Sequence, residues 1–560
     1  MLPVPVHLNA SNTHTNNLIG PVFAQASGPR YSLHLLIIIV SLFVTNCLVK
    51  YFISDLPPLG SGLKTLPGPL STIPYIGRVH DLDRNAVFRS VKKFNDKYNG
   101  LFSMTLGGEK HIFVSREDIA NDLLCRNAEI ASGRNDLGAY PGVTKDSKYL
   151  PLLGYTESFH RQRRFAVSTM TSIASRKFNG HIDLEMKRFM QSLLHVETAG
   201  AFYDLTILFA ARITARLAYG SAESASEHAI NAGAFIHQLS PSGPVTNLLP
   251  FLGWFPEWLV PAKRDVRLRQ EAEKVLWEAS FYDTKAKYEK GELAQLPTYV
   301  GAALEARERG GEEKRLFEEE EAIYAVGMLC TVAIFTIAGA ATCFIMAMVI
   351  HPEWQKKVRD EIDNIVNSER MLELGDSAKL PTLRAALKEA VRWRSPVPLG
   401  GSRLLKQDYS FGGYHFPKHS VVHVIDVGIA HDSERYEDPH VYNPDRWLNP
   451  ESKNFKAPLT EFPRIKGHHV FGRGKRTCPG QDLVESELLV FGGNLLKNFQ
   501  VEPKIEVREG NKTKCLPNPD KWGTDVIGGP AKFECNIRIR SEDKRTTVEK
   551  MYREAYLAKS

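Results

Sequence analysis

The ten residues from Phe471 to Gly480, FGRGKRTCPG, hold the most chemically loaded side chain of the sequence, Cys478. Pro479 follows it, and proline is favoured at the first position of a helix. From Gly480 to Asn498 an apolar stripe of Leu483, Val484, Leu488 and Leu489 reads as that helix. The spacing therefore sets Cys478 at a helix amino terminus, where unpaired N–H groups and the positive dipole end favour a thiolate. Gly472 and Gly474 let the preceding loop bend and bring backbone amides near the sulfur, and Lys475 and Arg476 add positive charge. Three roles are open to such a cysteine: a buried structural thiol, a nucleophile served by His468 or His469 (near, but at no telling spacing), or a metal-bound thiolate.

A second constellation is Glu389 and Arg392 in LRAALKEAVRWR, a helix that must stop before Pro396. A spacing of three puts both side chains on one helical face. Taken alone, the pair reads as a solvated surface ion pair, which contributes little.

The ten-residue pattern as a whole resembles the cysteine loop of the cytochrome P-450 family, Phe-x-x-Gly-x-Arg-x-Cys-x-Gly, with Phe471, Gly474, Arg476, Cys478 and Gly480 at its fixed positions. The resemblance implies that Cys478 is the axial thiolate of a haem iron. It also implies that Glu389 and Arg392 are joined by Arg446, from Asn443-Pro444-Asp445-Arg446-Trp447, in a structural trio that locks the cysteine loop and takes no part in catalysis. A carboxylate held between two guanidinium groups can be buried because each charge is paired. Phe159-His160-Arg161-Gln162-Arg163 is similar to the family's Trp-x-x-x-Arg segment, with Phe for Trp; the likeness gives Arg163, Arg476 and Arg403 to the haem propionates.

The family carries an oxygen-activating threonine on a long central helix. Thr336 stands at the family's distance before the proline that opens the next helix, Pro352, and is the chosen residue; Thr342, in AGAAT, is the reserve. The acid that normally precedes this threonine is absent, Phe335 or Ala341 standing in its place, which departs from the usual proton route. A helical threonine more commonly bonds its own backbone.

These residues need elements to hold them. Helical patterns cover Ala86 to Tyr98, Asp204 to Leu217, Arg264 to Lys290 and Pro352 to Ser368, and short strand-like runs cover Leu101 to Leu106, His111 to Val114, Tyr409 to Phe411 and Val421 to Ile425. The reading is one large, mainly α domain with small β-sheets over 76–540, and the resemblance gives it the cytochrome P-450 fold. Ala322 to Ile350 carries no charge and is long enough to span a bilayer. If it did, Arg163 and Cys478 would lie on opposite sides and could not share one haem, so it is expected to be a buried helix.

Outside the body, residues 1–30 form a polar tail, 31–53 (YSLHLLIIIVSLFVTNCLVKYFI) an apolar membrane anchor, 54–75 a proline-rich linker and 541–560 a polar carboxy-terminal tail. A cleaved signal peptide fits the apolar run poorly, because no small-residue cleavage site follows. Arg30 on one side against Lys50 and Lys64 on the other favours a cytoplasmic body. That orientation makes the tail luminal and its Asn9 sequon a glycosylation site, and leaves the Asn511 sequon bare. The expected location is the endoplasmic reticulum membrane.

Composition limits the alternatives. The 560 residues carry 71 basic and 64 acidic side chains, a net charge of +7 that gives no nucleic-acid-binding character, and seven scattered cysteines that make no disulfide framework. The resemblance implies insertion of one oxygen atom of O2 into a lipophilic small molecule, the wording around the motifs being most like fungal enzymes of secondary metabolism. Electrons would come from a separate NADPH-dependent flavoprotein reductase, for which Arg464, Lys466, Arg473 and Lys475 could form a docking face. Leu248 to Pro261, with Trp254, Phe255 and Trp258, falls at the family's substrate-access loop, and either dips into a membrane interface or packs in the core. The competing functions are an O2-independent haem-thiolate isomerase or dehydratase and a non-enzymatic membrane-anchored haem sensor.

Overall fold

The computed structural model describes residues 34–556 apart from 36, 43, 46–55, 147, 175–178, 197, 294–296, 309–317, 368 and 509–510. The helices that position the site are α1 (Glu157–Ala174), α2 (Asn179–Leu193), α3 (Phe202–Tyr219), α4 (Ala225–Leu239), α5 (Pro261–Glu289), α6 (Glu319–Ile350), α7 (Pro352–Ile365), α8 (Pro381–Trp393), α9 (Gln481–Asn498) and α10 (Glu542–Tyr556).

The axis of the fold is α6. Glu319, Glu320 and Glu321 fill its first turn, where negative charge suits the dipole, and it ends at His351 before Pro352 opens α7. Its residues are buried on every side rather than along one stripe, which explains why it passes by length and hydropathy for a membrane span while lying inside the protein. α3 packs along it, Trp277 of α5 covers Gly327, and Val484 on α9 packs with Ile337 and Ala338.

Among the described residues, ten short strands make three sheets: β1 (Lys64–Thr65), β2 (Leu101–Leu106), β3 (Glu109–Val114), β4 (Arg403–Leu404), β5 (Tyr409–Phe411), β6 (Tyr414–Phe416), β7 (Val421–Val424), β8 (Phe499–Arg508), β9 (Asn511–Cys515) and β10 (Cys535–Ile539). Their orders are β2-β3-β7-β4, β1-β6-β5 and β10-β8-β9. In the first, β7 runs parallel to β3 and antiparallel to β4, which registers Arg403 opposite Val422.

Two expected boundaries move. The stretch given as a linker over 54–75 already belongs to the body from β1 onward: Lys64 and Thr65 pair with Tyr414 and His415, and the Ser103 N–H donates to the Pro67 carbonyl at 2.8 Å. The carboxy-terminal segment is not simply a polar tail, because α10 packs on α2, burying Val548 and Met551, with Tyr556 donating to the Leu184 carbonyl at 3.2 Å. Residues 1–33, with Asn9, lie outside the described residues, as does much of the apolar run 31–53; its described residues between 34 and 45 are helical and exposed.

Candidate active site

The cysteine loop is built by two glycines and one backbone bond. Gly472 and Gly474 both take positive φ, and a Cβ on Gly474 would overlap the Leu124 carbonyl oxygen, so only glycine lets the loop lie against that turn. The Cys478 N–H donates to the Phe471 carbonyl at 2.9 Å, closing the loop on itself, and Phe471 packs against the core. Gly480 caps α9, which begins at Gln481; Pro479 thus stands outside the cap rather than in the first turn.

The protein alone does not favour the thiolate as the sequence suggested. Burial pushes the Cys478 thiol up, against the pull of the Gly480 N–H and of Arg163. His468 and His469 are committed elsewhere: the His468 Nδ1 accepts from the Val470 N–H at 3.3 Å, and the His469 Nδ1 bonds Asp426 Oδ1 at 2.6 Å.

Around the cysteine loop stand four arginines, of which Arg163 acts on the sulfur itself. Arg163 reaches from α1 to the Thr477 carbonyl. Arg476 donates to the Ser132 and Leu153 carbonyls at 2.9 and 2.7 Å and lays its guanidinium 3.8 Å above the ring of Phe159. Arg403 projects from β4 and is buried. Arg134, which sequence reasoning missed, donates to the Pro151 carbonyl at 2.9 Å and to the Ser402 carbonyl. Burial, then the charges of Arg134 and Arg163, pull Arg476 down to about 8, and burial with the charges of Arg134, Arg476 and Arg163 pulls Arg403 far below its ordinary value. The Nη1 of Arg403 and that of Arg476 are each buried with no hydrogen-bond partner among the described residues. A cluster of like charges with spare buried donors is fitted to a dianionic edge, which is what two propionates present.

Glu389, Arg392 and Arg446 come together as a wholly interior trio. Arg392 holds Glu389 with two bonds of 2.9 and 2.8 Å, Arg446 Nε adds one of 3.3 Å, and Trp447 Nε1 one of 2.9 Å. The surface-pair reading fails, because Glu389 and Arg392 are fully buried. The remaining arginine donors end on the carbonyls of Ala430, Pro439 and Val441 (Arg392) and of Glu437 and Asp438 (Arg446). The trio therefore pins the 430–447 segment; it makes no direct bond to the cysteine loop.

On α6, the hydroxyl of half-buried Thr336 bonds the Val332 and Ala333 carbonyls at 3.1 and 3.0 Å. Thr342 bonds the Ala338 and Gly339 carbonyls and is roofed by Gly529, where a Cβ would come within 2.7 Å of its oxygen. Six residues turn a helix by roughly 240°, so the two threonines face different directions. Phe335 sets its ring against Gly233 of α4.

Two surfaces complete the picture. Of the basic docking candidates, Arg473 is buried and tied to Glu117 at 2.8 Å and to Asn121 at 2.8 Å, Arg464 pairs with Glu461 and Lys466 with Asp482, and Lys475 is exposed. Burial of Arg473 removes it from any docking face. Trp254 and Trp258 are 76% and 79% exposed, so these two rings of the 248–261 loop are not core packing, although Leu248 and Val260 at its ends are packed inward.

The sequence profile of the cytochrome P-450 family matches residues 67–521. The chain belongs to that family, and its cofactor is haem held by a cysteine thiolate. It is similar to cytochrome P-450 monooxygenase virE of Hypocrea virens, 27% identical with 89% of each chain covered. It is also similar to monooxygenase psoD of Aspergillus fumigatus, 26% identical over 87% of this chain and 93% of the relative. The fold is that of a zebra fish cytochrome P-450 solved with abiraterone, at a TM-score of 0.63, 20% identity, and coverage of 80% of this chain and 98% of that one. By class the protein is a haem-thiolate monooxygenase.

Proposed function

We propose that the enzyme oxygenates a lipophilic small molecule of fungal secondary metabolism, at the endoplasmic reticulum membrane, with electrons from an NADPH-dependent reductase. The observation that carries the site assignment is the buried arginine cluster beside Cys478, whose unpaired donors ask for two carboxylates. When bound, haem supplies O2 activation and the thiolate-assisted O–O cleavage that delivers one oxygen atom to the substrate, the other leaving as water. Cys478 is the residue that would hold the iron, and Arg134, Arg163, Arg403 and Arg476 those that would hold the propionates. Thr336 is assigned to proton delivery. With Phe335 where an acid would stand, its hydroxyl must draw on ordered water rather than on a neighbouring carboxyl.

That missing acid favours a second reading, an O2-independent isomerase or dehydratase. Counting NADPH consumed per product separates the two: near one per turnover supports oxygenation, and none supports the alternative. The ligand is tested directly: Cys478→Ala abolishes the red-shifted band of the ferrous carbonyl adduct, and an unchanged band overturns the assignment. The apolar run 31–53 and the exposed Trp254 and Trp258 support the membrane reading. Deleting 1–53 should leave residual vesicle binding that Trp254→Ser with Trp258→Ser removes. Comparison of the metabolites of a host with and without the gene identifies the substrate.

A further inference from the structure

The trio at Glu389 stops short of the cysteine loop, so other side chains must fasten it. Arg163 and Arg476 tie it to the arginine cluster, and two further ties hold the loop and its approach. One is Arg473 on Glu117 and Asn121. The other is His469, whose Nδ1 lies 2.6 Å from Asp426 Oδ1, with both residues buried. The second tie has the more telling position. His469 stands two residues before Phe471, whose carbonyl takes the Cys478 N–H at 2.9 Å. Asp426 opens the helical turn Asp426–Ala430 just after β7, and β7 is the strand that registers Val422 opposite Arg403. A short covalent and hydrogen-bonded path thus runs from Arg403 through β4, β7, Asp426, His469 and Phe471 to the sulfur.

The pair is also exclusive. Among the described residues, His469 Nε2 and Asp426 Oδ2 are buried without a hydrogen-bond partner, so each residue's side-chain bond there is the one to the other. The nearest rings are His468, with centroids 4.0 Å apart, and Tyr436, at 6.4 Å. Removing either member strands a polar group where water does not compensate it. We propose that Asp426 and His469 are a positioning pair for the haem ligand, setting the distance between the sulfur of Cys478 and the arginine of β4 that takes a propionate. They touch neither substrate nor iron; they act through the loop and the strand.

The test uses the full-length holoprotein, haem transfer to apomyoglobin, and the ferrous carbonyl spectrum. Asp426→Ala and His469→Leu should each speed haem loss roughly tenfold, the size of one charge-assisted hydrogen bond. Each should also move part of the carbonyl band from the thiolate position to the shorter-wavelength position of a lost thiolate. Asp426→Asn and His469→Asn keep an acceptor and a donor at the bonded positions and should stay within about twofold of the parent. The double variant should be no worse than the worse single one, as expected of residues acting as a unit. A lowered melting midpoint with parent-like haem transfer and band position overturns the proposal, leaving the pair a mere fold stabiliser. If the disruptive variants do not accumulate, Asp426→Glu decides: it keeps the charge but displaces it by a methylene, and parent-like haem transfer there overturns the proposal equally.

Discussion

Glu389→Ala is the sharpest test of the interior electrostatics. In the parent, Glu389 accepts from Arg392 Nε and Nη2, Arg446 Nε, Trp447 Nε1 and the Asn443 N–H, at 2.8 to 3.3 Å. After truncation Arg392 keeps three carbonyl partners and Arg446 two, so their donors stay largely bonded while their charges lose the only carboxylate between them. Breaking a buried pair by removing one partner costs about 3–5 kcal/mol, because the stranded charge stays out of water. That is a large share of a typical stability of about 5–15 kcal/mol. Glu389→Gln keeps an accepting oxygen and removes only the charge, and should lose about half as much, ~2 kcal/mol. The assay is the urea midpoint of the detergent-solubilised full-length chain, followed by tryptophan fluorescence. A loss under about 1 kcal/mol, equal for Ala and Gln, would refute the reasoning and show that the carbonyl cage alone carries both arginines.

Three further outcomes are expected. Glu487 is fully buried on α9 with both oxygens unpartnered among the described residues, and burial pushes it up to about 8 from an ordinary 4.5. Because the folded-state value is raised for an acid, this group opposes folding increasingly as pH climbs from about 4.5 to about 8; Glu487→Gln should melt with the parent near pH 4.5 and above it at pH 8. Arg403→Met should raise the melting midpoint of the apoprotein, by relieving like-charge crowding, yet weaken haem retention about tenfold; parent-like haem retention would deny the arginine its assigned partner. Thr336→Ala should lower the product formed per NADPH while Thr342→Ala leaves it unchanged, and the reverse pattern transfers the role to Thr342.

Much of the site was legible because it is contiguous. Gly472 to Gly480 is a loop whose sterics are local, and Glu389 with Arg392 share one face of one helix. Arg134 was not legible: it is a lone loop arginine whose neighbours Arg403 and Arg476 come from far along the chain. Burial of Arg473 was hidden for the same reason, since Glu117 and Asn121 supply its partners. The thiol's upward shift was missed because sequence displays the nearby charges but not the desolvation that outweighs them. Among the elements, α6 was recognised by its unbroken apolarity, whereas β8 alternates Phe499, Val501, Ile505 and Val507 but is interrupted by Pro503, a residue that argues against a central strand. α10 offers few apolar residues and so resembled a solvated tail; its docking depends on α2, which no local pattern announces.

The crowded arginines beside Cys478 carry a consequence for the living cell. A freshly synthesised chain must either confine those mutually repelling cations without relief or capture a tetrapyrrole that neutralises them, so the prosthetic group stabilises the native state by mass action. Retention of the folded enzyme is thereby expected to depend on porphyrin supply, since a shortfall leaves the less stable haem-free form exposed to proteolysis.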